Sequence, residues 1–266
     1  MKVFVIDQKY CNGCYGCQIA CKDEHCGNEW MPYQKAQPDT GHFWMKLQET
    51  THGQVPKVNI EYRPYMCQQC DDPKCAVCDA VIKRPDGLVT IDPVKAKGRK
   101  DIMEACPYGA IYWNEELDIP QKCDGCAHLI DAGEVPHCVE LCATGAIKFG
   151  EEAEFTEEIA RATQIIPEEG CRPRVYYLNA PGLFIGGDVW NSEDNEVIIG
   201  ARVELTYPDG TKQMTTTDDF GDFWFRRLPA GKYGIAIFAD GYAVGSKNDI
   251  DLVKSLNLGD FDLAKA

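Results

Sequence analysis

The chain changes its hydrophobic rhythm near residue 182. Beyond that point, short apolar runs occupy 183–189, 197–207, 212–217, 223–227, 233–238 and 250–258. Pro208-Asp209-Gly210, Asp219-Phe220-Gly221, Pro229-Ala230-Gly231 and Asp240-Gly241 separate them, and their glycines suit the positive φ of tight turns. The pattern predicts an all-β sandwich or barrel over 181–266. It holds no catalytic constellation, so its expected role is interaction or clamping.

Residues 1–180 read differently. Cys106-Pro107-Tyr108-Gly109-Ala110-Ile111-Tyr112-Trp113 matches Cys142-Ala143-Thr144-Gly145-Ala146-Ile147-Lys148-Phe149, so a loop ending in Gly-Ala-Ile and a short strand occurs twice. Apolar runs at 3–6 and 88–91 read as the complementary strands. The expected fold class is therefore α+β: a duplicated ferredoxin-like domain over 1–180, followed by the β domain. Segment 24–64 is too long for an ordinary connection and reads as an inserted functional loop or docking arm. Its His25, His42 and His52 lack metal-site spacing and read as structural or surface residues. Segment 151–180 is a connector in which 155–163 should form a short helix, with Thr156 as N-cap and Glu157 and Glu158 at its positive end.

Charge and length narrow the function. The formal charge of -15 over 266 residues disfavours nucleic acid, because phosphate binding needs a basic face that displaces counterions. No run approaches the roughly 20 apolar residues of a membrane helix. The start Met1-Lys2-Val3-Phe4-Val5-Ile6-Asp7 turns acidic too soon for a signal peptide. The expectation is a chain without membrane insertion, cytoplasmic or exported folded with a signal-bearing partner.

Cysteine placement identifies the chemistry. Of fifteen cysteines, fourteen lie between Cys11 and Cys142, in tight clusters unlike the paired, dispersed cysteines of a secreted disulfide scaffold. Cys11, Cys14, Cys17 and Cys21 have the C-x2-C-x2-C-x3-C spacing in which three thiolates hold one 4Fe-4S cluster and the fourth serves the other cluster of a pair. Cys123, Cys126, Cys138 and Cys142 supply the partner motif, with an insertion between its second and third members. Exchanging the fourth cysteines gives Cys11, Cys14, Cys17 with Cys142, and Cys123, Cys126, Cys138 with Cys21. Cys67, Cys70 and Cys75, completed by Cys106 before Pro107, form a third set. A fourth would need cysteines at Asp79, Ala96, Arg99 and Ile102, and has none. Four losses confined to one set read as a cluster deleted as a unit. Zinc is the rival occupant of C-x2-C pairs, but has no use for the third cysteine or the Cys-Pro ending. Cys26, Cys78 and Cys171 fall outside the scheme and read most simply as buried small hydrophobes, with Cys78 one residue short of a ligand position.

Tyr62-Arg63-Pro64, Ala96-Lys97-Gly98, Cys106-Pro107-Tyr108-Gly109, Gln121-Lys122-Cys123, Cys126-Ala127-His128-Leu129 and Pro173-Arg174-Val175-Tyr176-Tyr177 carry a further likeness. With the four-motif arrangement, they resemble the iron-sulfur subunits of the dimethyl-sulfoxide-reductase family of molybdenum enzymes. Within that family the pattern is most similar to small subunits of the pyrogallol-phloroglucinol transhydroxylase and catechol dehydroxylase type. Gly200-Ala201-Arg202-Val203-Glu204 and Leu228-Pro229-Ala230-Gly231-Lys232-Tyr233 resemble a carboxypeptidase-regulatory-type β domain. The resemblance implies three 4Fe-4S clusters passing or buffering electrons, and a large catalytic subunit that alone holds molybdopterin, in a heterodimer or higher assembly. It also implies a soluble electron donor and a polyhydroxylated aromatic substrate; no catalytic residue is expected on this chain. The alternatives are a reductase subunit for an S-oxide, N-oxide or oxyanion, and a free-standing polyferredoxin.

Overall fold

The computed structural model describes residues 1–266. They form two compact units: Met1–Glu49 with Tyr62–Ala180, and Thr50–Glu61 with Pro181–Ala266. Residues 50–61, which the sequence pattern places inside the insertion of the first domain, belong to the second unit. The cause is Lys57, whose ammonium is buried against carboxylates of that unit.

In the first unit Val3-Phe4-Val5-Ile6 lies in the middle strand of a three-stranded sheet. Lys2–Asp7 runs antiparallel to Ile147–Glu151 and parallel to Val175–Leu178. Successive side chains of a strand point to opposite faces. Val3 and Val5 therefore join the cluster of Leu178, Phe155 and Ile159, while Phe4 and Ile6 join the one that holds Cys17, Cys21 and Ile147. The strand at 3–6 thus pairs with the one after the second Gly-Ala-Ile. In the other half the pairing is local instead: Val89–Ile91 pairs with Val81–Lys83, and Tyr112–Asn114 with Ile119–Gln121. The turn explains the first of these pairings. Gly87, at φ 98°, donates its N–H to Arg84 O at 3.1 Å, and Asp86 Oδ1 accepts from Leu88 N at 3.0 Å. A hairpin closed over so few residues forms at less entropic cost than a distant pairing.

Helix Gly16–His25 buries Cys17, Cys21 and His25, which recur every four residues and so share one face. In the connector, helix Thr156–Ala160 follows a 3-10 turn over Glu152–Phe155. Thr156 is not its N-cap; its hydroxyl donates to Ala153 O at 3.2 Å. The unpaired N–H groups lie one turn earlier, where Glu151 and Glu154 form a reciprocal capping box.

The second unit is a sandwich of two four-stranded sheets enclosing one apolar cluster. Leu183–Asn191 pairs with Glu196–Val197, Asp222–Leu228 and Leu256–Asp262; the other sheet runs Lys212–Thr216, Arg202–Thr206, Gly231–Phe238, Gly245–Leu252. Val189, Phe223 and Phe225 from one sheet meet Val203, Leu205, Ile235 and Ile237 from the other in that cluster. The apolar runs at 197–207 and 250–258 each read as one strand, but both break and switch sheets. Gly200 at φ 74° turns the chain in the first, and Ser255 caps the switch in the second by accepting from Phe184 N at 3.2 Å.

The tip of the hairpin formed by Lys46–Gln54 and Lys57–Tyr65 contributes Lys57 to this unit. Lys57 Nζ is 2.8 Å from Asp188 Oδ1, 2.9 Å from Asp222 Oδ1 and 5.3 Å from the Trp224 ring centre. Removing one partner of a buried pair costs about 3–5 kcal/mol, because the remaining charge is left uncompensated. Here the carboxylates keep 24% and 29% exposure, so part of their hydration survives. Lys57→Ala should therefore destabilise the second unit by about 2–3 kcal/mol. Faster hydrogen exchange along Leu183–Asn191 checks this; unchanged protection would show that the pair contributes nothing.

Candidate metal centres

The proposed ligands converge from distant parts of the chain into three groups. Cys11, Cys14 and Cys17 lie on the loop entering helix Gly16–His25, and Cys142 follows helix His137–Glu140. All four line one cavity, with Leu47 and Pro64 on its wall. Gly13 at φ 75° and Tyr15 at φ 60° curl the loop so that its thiols face inward. A side chain at Gly13 would also come within 2.5 Å of the Tyr62 ring. Burial pushes the Cys17 thiol up to about 12, with Cys11, Cys142 and Cys14 adding to the effect.

Cys21, Cys123, Cys126 and Cys138 form the second group, and all four are buried. The thiols of Cys123 and Cys138 are held well above their usual range, first by burial and next by Cys21. Gly125 at φ 76° and Cys126 at φ 53° repeat the left-handed turn of the first loop. Gln69 Nε2 lies 4.0 Å from Cys123 Sγ and donates to Cys123 O at 3.0 Å.

Cys67, Cys70, Cys75 and Cys106 form the third group and line a further cavity. Burial is the largest cause raising the Cys70 thiol, followed by Cys67, Cys171, Cys75 and Cys106. Cys75 is pushed up to about 12, chiefly by burial. Cys171 is thus a fifth cysteine on this wall, which its remote position in sequence did not suggest.

The positions of the missing set are filled by protein. Ala96 and Ile102 are fully buried in an apolar cluster with Ala80, Val81, Val89 and Ile91. Asp79 is exposed and paired with Lys95 at 2.9 Å, and Arg99 is paired with Asp101 at 2.6 Å. Of the cysteines outside the scheme, Cys171 is buried as expected. Cys26 and Cys78 are only half-buried, and Cys26 Sγ donates to Asp39 Oδ1 at 3.0 Å. Its hydrogen bond and half-exposed position set it apart from a buried hydrophobe.

Two buried residues beside the proposed ligands escaped sequence reading. His25, read as structural or surface, is 1% exposed, and its Nε2 lies 3.6 Å from Cys126 Sγ. Its place four residues after Cys21 on the same helix was the available signal. His42, by contrast, stacks on Tyr112, and His52 pairs with Glu61 at 3.0 Å, both structural contacts. Lys122 is buried and donates to Val89 O and to Cys123 O, the latter at 3.0 Å. Burial works against its charge, but Cys67, Cys75, Cys123 and Asp124 outweigh it and raise the ammonium above its ordinary range. It stands beside thiols of both the second and third groups.

A donor set made only of sulfur suits iron-sulfur clusters or zinc. Metal ligation requires thiolates, and burial opposes thiolates unless cations compensate them. Several iron ions held by four cysteines would provide that compensation. The class defined by these loops is an iron-sulfur protein with paired cluster motifs. Residues 58–152 match the 4Fe-4S dicluster domain, and residues 185–264 match the carboxypeptidase regulatory-like domain. The chain is 37% identical to the pyrogallol hydroxytransferase small subunit of Pelobacter acidigallici, over 96% of each chain. It is 34% identical to a probable anaerobic dimethyl sulfoxide reductase chain of Escherichia coli, over 62% of this chain and 80% of that one. Identity to a tetrathionate reductase subunit of Salmonella typhimurium is 31%, over 68% of this chain and 73% of that one. The chain belongs to the iron-sulfur subunits of the dimethyl-sulfoxide-reductase family, in the branch of the pyrogallol hydroxytransferase small subunit.

The two kinds of cysteine on the third wall should separate experimentally. Cys70→Ala is expected to lose about four irons per chain, whereas Cys171→Ala keeps the full complement. Iron and sulfide analysis of the two variants decides; equal losses would make Cys171 a ligand.

Proposed function

We propose that this chain is the electron-transfer subunit of a molybdopterin oxidoreductase acting on polyhydroxylated aromatics, by hydroxyl transfer or reductive dehydroxylation. In this reading Cys11, Cys14, Cys17 and Cys142 hold the first 4Fe-4S cluster. Cys21, Cys123, Cys126 and Cys138 hold the second, and Cys67, Cys70, Cys75 and Cys106 the third. The observation that carries the reading is the gathering of twelve cysteines into three all-sulfur groups. Clusters bound there would supply one-electron carriers, and molybdopterin would belong to a large catalytic partner.

The protein's own residues give these carriers an order. Cys17 and Cys21 stand one helical turn apart and join the first group to the second. Cys67 and Cys123, with Lys122 beside both, join the second to the third. The filled fourth site supports a chain of carriers that ends at the third group, where a soluble donor would deliver electrons. The aromatic substrate class rests on the near full-length similarity to the pyrogallol hydroxytransferase small subunit. In this reading 1–180, apart from 50–61, carries the clusters, and 181–266 serves interaction.

Anaerobic purification from the native host, without a tag that disturbs partners, tests this directly. About twelve irons per chain, with molybdenum in a copurifying large subunit, is the expected result. Turnover of pyrogallol or catechols by that complex would establish the substrate class; turnover of S-oxides, N-oxides or oxyanions instead would replace it. About sixteen irons would contradict the filled fourth site, and zinc without sulfide would overturn the redox function.

A further inference from the structure

We propose that His25 sets the reduction potential of the second cluster by donating its Nε2–H to the sulfur of Cys126. This rests on the cluster assignment above and extends it to a residue outside the ligand set.

The orientation of the Gln34 amide decides which ring nitrogen carries the proton. Gln34 Nε2 contacts His25 Nδ1, and an amide nitrogen can only donate. Nδ1 is therefore the acceptor, and the neutral ring carries its hydrogen on Nε2. That nitrogen lies 3.6 Å from Cys126 Sγ, the separation of an N–H···S hydrogen bond. The Asp124 carboxylate has an oxygen within 4.8 Å of the same atoms; its Oδ1 accepts from Cys126 N at 2.9 Å, and its buried Oδ2, without a hydrogen-bond partner, is the competing acceptor.

The ring is held in place on several sides. Trp44 lies against it at 5.0 Å between ring centres, and the ring of His128 meets it edge-on at 5.8 Å. His128 is itself stacked on Trp30 at 4.2 Å and bonded to Glu24 Oε1 at 2.8 Å. Trp30, Gln34 and Trp44 all come from the long insertion, whose role at this point is to orient one imidazole against one sulfur.

The direction of the effect follows from charge. Reduction adds negative charge to the cluster and its thiolates, and a hydrogen-bond donor at sulfur stabilises that form more than the oxidised one. His25 therefore raises the potential of the cluster it touches. Because the bond is to a ligand sulfur and not to iron, its loss should leave the iron in place.

Potentiometric titration of the intact anaerobic complex, followed by electron paramagnetic resonance, reads this out. His25→Phe keeps a ring of similar size without the donor. It should lower the midpoint of one cluster by about 59 mV, a tenfold change in its oxidised-to-reduced ratio at fixed potential, and leave the other two unmoved. His25→Gln, which retains an N–H, should recover much of the shift. A full iron complement with unchanged potentials in His25→Phe overturns the inference alone. The wild-type complex provides a second test that does not depend on how the variants fold. With 15N-labelled histidine, the reduced second cluster should show a nitrogen hyperfine coupling, and its absence overturns the inference. A wild-type complex without any 4Fe-4S signal overturns the cluster assignment together with it.

Discussion

The first unit depends on the compensation of buried thiolates. Its largest apolar cluster contains Cys17, Cys21, Cys67, Cys70, Cys123 and Cys138, in positions that another domain of this size would give to leucine or valine. Burial is the largest cause driving the thiols of Cys17, Cys21, Cys70, Cys123 and Cys138 toward the neutral form. The state that binds metal is the charged one, so cations must neutralise it before the core is stable. Metal binding and folding are then one process. Short helices without side-chain caps and hairpins of three-residue strands would suffice once metal–sulfur bonds tie them together.

Much of this site was legible because its spacing is covalent. Three cysteines two residues apart can face one point only if the intervening residues adopt left-handed turns, and Gly13, Tyr15, Gly125 and Cys126 do so. The exchange of fourth cysteines was legible too, since Cys21 lies one helical turn beyond Cys17. Contacts made by chain remote in sequence left no comparable signal. Cys171 reaches the third wall from the connector, and His25 reaches Cys126 from 101 residues away.

The fold shows the same division between local and remote information. The alternation in Val3-Phe4-Val5-Ile6 was clear, because it follows from the two-residue period of a strand. The strand switches near Gly200 and Ser255 were not, because an apolar run continues across a bend without changing composition. The misplaced helix cap at Thr156 arose similarly, as a 3-10 turn and the helix behind it have nearly the same residue preferences. Lys57 lies more than 130 residues from Asp188 in sequence, and only folding brings Asp188 and Asp222 beside it.

Lys122 is a single positive charge adjoining Cys67 and Cys75 on one side and Cys123 on the other. Charge gained by either neighbouring group is felt at the same ammonium, within a low-dielectric interior that screens it weakly. The two centres thus share one electrostatic reference. With clusters bound as proposed, a change at this position would act on both neighbouring carriers at once.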